Sequence, residues 1–260
     1  MIFLIKSGDY ITRKSYQNDM VFVVLNVKNN IAYLKGVNDR LYADSPLEDC
    51  ELISKDLLKD NFVPQKLEND NLDRSDYFFI PAKILHLDGD SEYLSRCMNY
   101  YKENKVFAIG RKIDEDILSN NIIDYLEEVK PDIVIITGHD AYYRKKGDKT
   151  DLNNYKNSKN FVRAVKQARK YEKSHEKLII IAGACQSDYE ELIKAGANFA
   201  SSPKRVNIHA LDPAIIAVNI ALTEKNKRVD LIDLLGKTKN GALGIGGIMC
   251  NGMMYVGYPR

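Results

Sequence analysis

The pattern of apolar and polar positions changes partway along the chain and divides it into two parts. In the first part, short apolar stretches alternate with turns: Asp19–Val27 ends at Asn29-Asn30, and Ile31–Leu34 resumes, as in a β-hairpin. Several short strands in so few residues predict a small β-barrel, of the SH3-like kind, over residues 1–56. The polar stretch over 57–76 predicts a linker.

From residue 77 to residue 260, apolar runs typical of strands alternate with stretches of helical periodicity. Ile133–Ile136 and Leu178–Ile181 are unbroken apolar runs, as expected for strands that are buried on both faces. Strands alternating with helices predict an α/β domain with a mostly parallel sheet and flanking helices. The glycine-rich segment 241–257 is expected to fold back as a C-terminal hairpin. The predicted strands are Lys83–Leu87, Val106–Ile109, Ile133–Thr137, Leu178–Ala182 and Asn198–Ser201.

The composition is that of an ordinary globular protein. The chain is 45% hydrophobic and 28% charged, and its 38 basic and 36 acidic residues leave a net charge of +2. A balanced charge provides no general attraction to nucleic acid or to a membrane surface. No apolar run approaches the roughly 18 residues that cross a bilayer, and the apolar start is too short for a signal peptide. We therefore expect a cytoplasmic protein that binds neither nucleic acid nor membranes.

The four cysteines indicate neither disulfides nor a metal centre. Cys50, Cys97, Cys185 and Cys250 are scattered, without CxxC pairs and without histidines at ligand spacing. A chain made in the cytosol rarely forms disulfides, and a zinc site needs clustered ligands. We therefore expect no metal and no organic cofactor.

Two of the predicted strands run directly into residues that carry chemistry. The strand at 133–137 is followed by Gly138-His139-Asp140, and the strand at 178–182 is followed by Gly183-Ala184-Cys185-Gln186. Open parallel sheets place their reactive groups beyond the carboxyl ends of the strands. If these two strands are neighbours, His139 and Cys185 lie side by side.

The residues after Cys185 predict a helix that begins directly after the cysteine and ends near Gly196. Ser187–Glu190 has the form of a capping box. A thiol at a helix N-terminus lies at the positive end of the helix dipole, which favours the thiolate that peptide cleavage requires. Backbone N–H groups at the same turn, including that of Cys185, are candidates for the oxyanion hole. The pattern therefore predicts a cysteine peptidase with Cys185 as nucleophile and His139 as base.

Longer motifs carry a resemblance to a known family. They are Gly8–Tyr16, Ala43–Asp49, His86–Asp90, Ile136–Tyr142, Ala182–Ser187, Gly196–Arg205 and Asn207–Pro213. Through these motifs, nearly the whole chain resembles the YabG family of sporulation-specific cysteine peptidases. The resemblance implies a caspase-like fold with His139 and Cys185 as the catalytic pair. It also implies processing of spore-coat and cortex-lytic precursors after arginine, in the mother cell of a sporulating bacterium or in the spore coat.

Cleavage after arginine requires a carboxylate at the base of the substrate pocket. In caspase-like folds the loop after the first strand lines this pocket, and here that loop is Asp88-Gly89-Asp90. We expect Asp88 to be the specificity carboxylate, because Asp90 is placed to cap a helix. Asp140 and Asp188 are weaker candidates.

The oxyanion donors and self-cleavage are further expectations from the resemblance. Caspase-like enzymes use the N–H of a glycine that follows the histidine, whereas here Gly138 precedes it and Asp140 follows it. Either residue is therefore a candidate donor. Arg74 in the predicted linker and Arg144 in the polar loop after His139 are candidate sites of self-cleavage.

Two other functions remain open for the same residues. An amidotransferase-like or DJ-1-like hydrolase has its histidine after the nucleophilic cysteine, and His209 would then serve as the base. A non-enzymatic scaffold of the spore coat would bind partners through the barrel and keep Cys185 as a remnant. His86, inside a strand, and His175, in a polar segment, are interpreted as structural.

Overall fold

The computed structural model describes residues 5–55, 58, 60, 62–64, 77–143 and 147–259. Within these residues the chain forms an antiparallel N-terminal sheet, a larger and mostly parallel sheet, and a two-stranded ribbon. Most of the predicted linker and both candidate self-cleavage sites, Arg74 and Arg144, lie outside the described residues. None of the described helices is both long and apolar enough to cross a bilayer.

The N-terminal sheet has five antiparallel strands in the order β4-β3-β2-β1-β5. Asn29 and Asn30 both have positive φ angles, which gives the β2–β3 hairpin the tight turn expected from the sequence. A single 3-10 turn separates β4 from β5. The strands are β1 (Tyr10–Arg13), β2 (Phe22–Lys28), β3 (Ile31–Gly36), β4 (Tyr42–Pro46) and β5 (Cys50–Leu52).

The large sheet has six strands in the order β12-β11-β10-β9-β7-β8, and only β12 runs antiparallel to its neighbour. Its strands are β7 (Ile84–Asp88), β8 (Ala108–Lys112), β9 (Ile133–Thr137), β10 (Ile179–Ala182), β11 (Phe199–Ser201) and β12 (Ile245–Gly247). The ribbon pairs β6 (Phe78–Ile80) with β13 (Tyr255–Gly257).

Helices cover both faces of the large sheet, which explains why its strands read as unbroken apolar runs. One face packs against α1, α5 and the N-terminal sheet, and the other packs against α2 and α3. The helices are α1 (Ser91–Glu103), α2 (Glu115–Val129), α3 (Ser158–Tyr171), α4 (Tyr189–Lys194), α5 (Asp212–Leu222) and α6 (Leu231–Gly236). The predicted class, a mixed α/β fold with a largely parallel sheet and an antiparallel N-terminal sheet, is confirmed.

The predicted C-terminal hairpin over 241–257 is wrong. Strand β12 pairs with β11, and β13 pairs with β6. The residues between them bind elsewhere, since the Val229 N–H donates to the Cys250 carbonyl and the Gly252 N–H donates to the Lys227 carbonyl. These bonds lead the two strands apart to separate sheet edges.

Candidate active site

The loops that follow β7, β9 and β10 meet at one edge of the large sheet. The strand register pairs Asp88 with Thr137 and Ala182 with Ile136, so the strand ends are level. The Thr137 hydroxyl donates to the Gly183 carbonyl at 2.8 Å and fastens the two loops just beyond the strands. His139 and Cys185 therefore follow neighbouring strands. Both face the side of the sheet that α1 and the N-terminal sheet cover.

The His139 ring is held between two carboxylates and an aromatic ring. Its Nε2 lies 3.4 Å from Asp90 Oδ2, and its Nδ1 lies 3.5 Å from Glu115 Oε1. The Tyr42 ring stacks on the imidazole with centroids 3.8 Å apart and an angle of 11° between the planes. Of these three neighbours, only Asp90 is a candidate site residue from the sequence. Glu115 and Tyr42 are brought to the histidine by the packing of α2 and β4.

Glu115 lies at the start of α2 but points into the strand-end loops. Its Oε1 accepts a hydrogen bond from the His139 backbone N–H at 2.8 Å. A Cβ atom at Gly89 would lie 2.3 Å from Glu115 Oε1, and one at Gly138 would lie 2.4 Å from it. A side chain at either position would therefore displace the Glu115 carboxyl group. Burial raises the pKa of Glu115, but the hydrogen bonds from His139 outweigh burial and hold that pKa below its ordinary value.

Cys185 is fully buried and bonds to the backbone of Ile208. The Ile208 N–H donates to Sγ at 3.2 Å, and the thiol is 3.7 Å from the Ile208 carbonyl. Burial raises the pKa of Cys185 well above its ordinary value, so the thiol is neutral in this arrangement. Among the described contacts, no hydrogen bond joins Sγ to the His139 ring.

The helix after Cys185 begins later than the sequence predicts. Helix α4 starts at Tyr189, and its N-cap is Asp188, which accepts from the Glu191 N–H. The Ser187 hydroxyl is not the cap, because it accepts from the Ala184 N–H and donates to Asp140. The thiol therefore lies in the loop before the N-cap Asp188 and not in the first turn of the helix.

Asp140 joins the loop that carries His139 to the loop that carries Cys185. Its Oδ1 accepts from the backbone N–H groups of Ala141 at 2.9 Å and Asn157 at 2.7 Å. Its Oδ2 accepts from the hydroxyls of Ser187 and Ser158. Burial raises the pKa of Asp140 to about 6 despite these bonds. Because both oxygens are engaged, Asp140 acts as a structural anchor and has no oxygen to offer a substrate guanidinium.

Asp88 is already paired with an arginine of the protein itself. Arg40 Nη1 lies 2.8 Å from Asp88 Oδ2, and both side chains are 0% exposed. Burial raises the pKa of Asp88, but the charge of Arg40 outweighs it and lowers the pKa to about 2. His86 Nε2 lies 3.3 Å from the same oxygen. This pairing argues against Asp88 as the specificity carboxylate, because a substrate would have to displace a buried guanidinium.

Asp90 caps a helix, as predicted, and also binds a cation next to His139. Its Oδ1 accepts from the Glu92 and Tyr93 N–H groups at the start of α1. Its Oδ2 lies 2.8 Å from Lys35 Nζ, which also contacts Glu92 and lies 4.6 Å from the centre of the Tyr93 ring. Burial raises the pKa of Asp90, but His139, Lys35 and the Tyr93 N–H outweigh burial and hold that pKa well below its ordinary value.

The N-terminal sheet forms part of the site. Lys35 is the penultimate residue of β3, Tyr42 begins β4, and Arg40 lies between them. The Arg40 guanidinium also donates to the Ala210 carbonyl at 2.9 Å. The Tyr93 hydroxyl donates to the Gly36 carbonyl at 2.6 Å. The segment 35–42 is thus bonded to α1 and to the loop before α5, and it covers the histidine.

The His209 ring is engaged away from the thiol. Its Nε2 lies 3.0 Å from Asp60 Oδ2, and its Nδ1 accepts from the Leu211 N–H at 3.1 Å. With both nitrogens occupied, His209 has no nitrogen directed at Cys185. Asp188, the remaining candidate carboxylate, is the cap of α4 and lies 3.4 Å from Arg205 Nη2.

Comparison with known proteins agrees with the motifs at this site. The sequence model of the family described as YabG peptidase U57 matches residues 6–259. The sporulation-specific protease YabG of Bacillus subtilis (strain 168) is 41% identical over an alignment 281 positions long, and the alignment covers 97% of this chain and 97% of that protein. The resemblance inferred from the motifs is confirmed.

Proposed function

Because the chain belongs to the YabG peptidase family and is therefore a protease, we propose that it uses cysteine catalysis with Cys185 as nucleophile and His139 as base. The observation that carries this proposal is the position of the two residues directly after the adjacent parallel strands β9 and β10. Both side chains face the same side of the sheet. The sheet order, with an antiparallel strand at the β12 edge, supports a caspase-like arrangement.

The chemistry needs the thiol to turn from Ile208 towards the His139 ring. His139 takes the thiol proton, the thiolate attacks the peptide carbonyl, and the imidazolium then protonates the leaving amine. Water releases the acyl group with His139 again acting as base. The N–H groups of Asp140 and Cys185 form no hydrogen bond with another described residue, so they remain candidate donors to the oxyanion, beside Gly138.

We assign the arginine preference to Asp90 rather than Asp88. Asp90, Glu92 and the Tyr93 ring hold the ammonium group of Lys35 next to His139, which indicates that this cluster binds cations. A P1 arginine entering the site would replace Lys35 at Asp90. Lys35 is displaceable where Arg40 is not, because its side chain is 11% exposed and pairs with the exposed Glu92, whereas Arg40 is 0% exposed. Removing only the carboxylate of such an ion pair costs on the order of 2–5 kcal/mol, which corresponds to a roughly 30- to several-thousand-fold loss of kcat/KM.

The specificity assignment is tested with paired peptides that carry arginine or neutral citrulline at P1. Asp90→Asn should reduce the ratio of their kcat/KM values. Asp114→Asn is the matched control, since Asp114 is the N-cap of α2, is exposed, and loses the same charge. An unchanged ratio in Asp90→Asn would place the specificity carboxylate elsewhere.

The physiological substrates that we propose are spore-coat and cortex-lytic precursors, in the mother cell or at the spore coat. The similarity to the sporulation-specific protease of Bacillus subtilis supports a role in sporulation. The finer assignment rests on the family resemblance of the motifs. Self-cleavage after Arg74 or Arg144 belongs to the same proposal.

The catalytic pair is tested by single substitutions assayed on a coat-precursor substrate. Cys185→Ala and His139→Ala should each abolish cleavage without loss of fold, while Cys250→Ala and His209→Ala should retain it. Cys250 is the control for a buried thiol, and His209 tests the amidotransferase-like scheme. Near-full activity of Cys185→Ala would overturn the proposal. An arginyl chloromethyl ketone should label Cys185, whereas a non-enzymatic scaffold would not react.

A further inference from the structure

Both ring nitrogens of His139 face carboxylates, and a neutral imidazole cannot satisfy both. Nδ1 is 3.5 Å from Glu115 and Nε2 is 3.4 Å from Asp90. A neutral ring carries one N–H and therefore donates to one carboxylate, whereas the protonated ring donates to both. Nε2 is buried without a hydrogen-bond partner among the described residues, and Nδ1 is no closer to its carboxylate. The charge partners of the two carboxylates therefore decide which nitrogen carries the proton of the neutral ring.

Glu115 is built into its position by more than one contact. The same Oε1 atom that faces Nδ1 also accepts from the His139 backbone N–H at 2.8 Å. Gly89 and Gly138 pack so closely against the carboxyl group that a Cβ at either position would push it aside. The hydrogen bond from the His139 backbone keeps the carboxylate next to the imidazole.

The two carboxylates next to His139 have different charge partners. Asp90 is neutralised by Lys35 and is bonded to the start of α1. Glu115 forms no ion pair with a lysine or arginine among the described residues, and its ion-pair partner there is His139. Its charge is therefore available to the imidazolium that forms when the ring accepts a proton.

We propose that Glu115 is a positioning residue for the peptidase reaction. It accepts the Nδ1–H of His139, which directs the lone pair of Nε2 towards the incoming thiol proton. When Sγ–H breaks and Nε2–H forms, the proton moves from sulfur to nitrogen, and Glu115 stabilises the resulting imidazolium while the thiolate attacks. This inference rests on the proposed function of His139 and Cys185.

The test is Glu115→Gln in the full chain, with Asp116→Asn as matched control. Asp116 lies in the same first turn of α2, is exposed, and loses the same charge.

Removing a carboxylate that orients a functional imidazole typically costs about 10- to 100-fold in activity. We expect Glu115→Gln to lower kcat by that factor with KM unchanged. The acidic limb of the pH–kcat profile should move to lower pH, because less negative charge stabilises the imidazolium. Asp116→Asn should change neither.

The outcomes separate this inference from the proposed function. If Cys185→Ala is inactive while Glu115→Gln retains the kcat and pH profile of the wild type, Glu115 does not position the base and only this inference fails. If Cys185→Ala is active, the proposed function fails with it. If Glu115→Gln does not fold, Glu115→Asp keeps the charge but shortens the reach, and a kcat equal to that of the wild type would overturn the inference.

Discussion

Replacing Asp88 by asparagine should destabilise the fold and leave substrate preference unchanged. The Asp88 carboxylate is fully buried, 2.8 Å from Arg40 Nη1. Arg40 is itself fully buried, bonds to the Ala210 carbonyl, and lies 5.1 Å from the centre of the Tyr93 ring. Asparagine is nearly isosteric but neutral, so the substitution leaves a guanidinium in the core without its counter-charge.

Two estimates of the cost agree in order of magnitude. Breaking a buried ion pair by removing one partner typically costs about 3–5 kcal/mol. A carboxyl group whose pKa falls from 3.8 to about 2 on folding contributes about 2 kcal/mol at neutral pH. Because the pKa is lower in the folded state, this stability is present above about pH 4 and is lost as the pH falls towards 2. We therefore expect Asp88→Asn to lower the free energy of unfolding by about 2–5 kcal/mol at pH 7.

The assay is urea unfolding at pH 7 and again at acidic pH, followed by P1 profiling of the folded enzyme. Asp124→Asn, an exposed position on α2, is the control and should stay within about 0.5 kcal/mol of the wild type. The difference between Asp88→Asn and the wild type should shrink as the pH falls. The reasoning is refuted if Asp88→Asn is as stable as the wild type and no longer prefers arginine, because Asp88 would then be the specificity carboxylate.

Two further predictions concern contacts of Tyr42 and Asp140, and a third concerns the proposed self-cleavage. Tyr42→Phe should keep the ring stacked on His139 and retain kcat. Tyr42→Ala should lower kcat by up to about tenfold, because an aromatic contact contributes about 0.5–1.5 kcal/mol. Equal activity of the two variants would contradict a role for the ring. The pKa of Asp140 is raised on folding to about 6, so its contribution to stability is lost as the pH rises from about 4 through 6. Asp140→Asn should flatten the stability–pH curve over that range, and an unchanged slope would count against the assignment. Intact-mass spectrometry of aged protein should reveal a cut after Arg74 or Arg144, and lysine at both positions should remove it; an uncut chain that is active on other substrates would argue against self-cleavage.

Local features of the sequence were enough to predict the fold class and the placement of His139 and Cys185 after neighbouring strands. Strands buried on both faces are apolar at nearly every position, so a few consecutive residues are enough to recognise them. The order of His139 and Cys185 after two such runs indicated neighbouring strand ends, and the register of β9 and β10 places them there. The turn between β2 and β3 was likewise predictable, because its two asparagines tolerate positive φ.

Only the tertiary structure decided which charges and rings meet at the site. Arg40 reaches Asp88 from the N-terminal sheet, Tyr42 covers His139 from the same sheet, and Glu115 reaches it from α2. A charged residue looks alike in sequence whether it faces solvent or a buried partner, so no local periodicity signals these pairs. The strand pairing of the C-terminal segment was also decided by the tertiary structure, because its glycine-rich sequence permits a hairpin as well. Its strands pair with β11 and β6 because those edges offer unpaired backbone groups once the sheets are assembled.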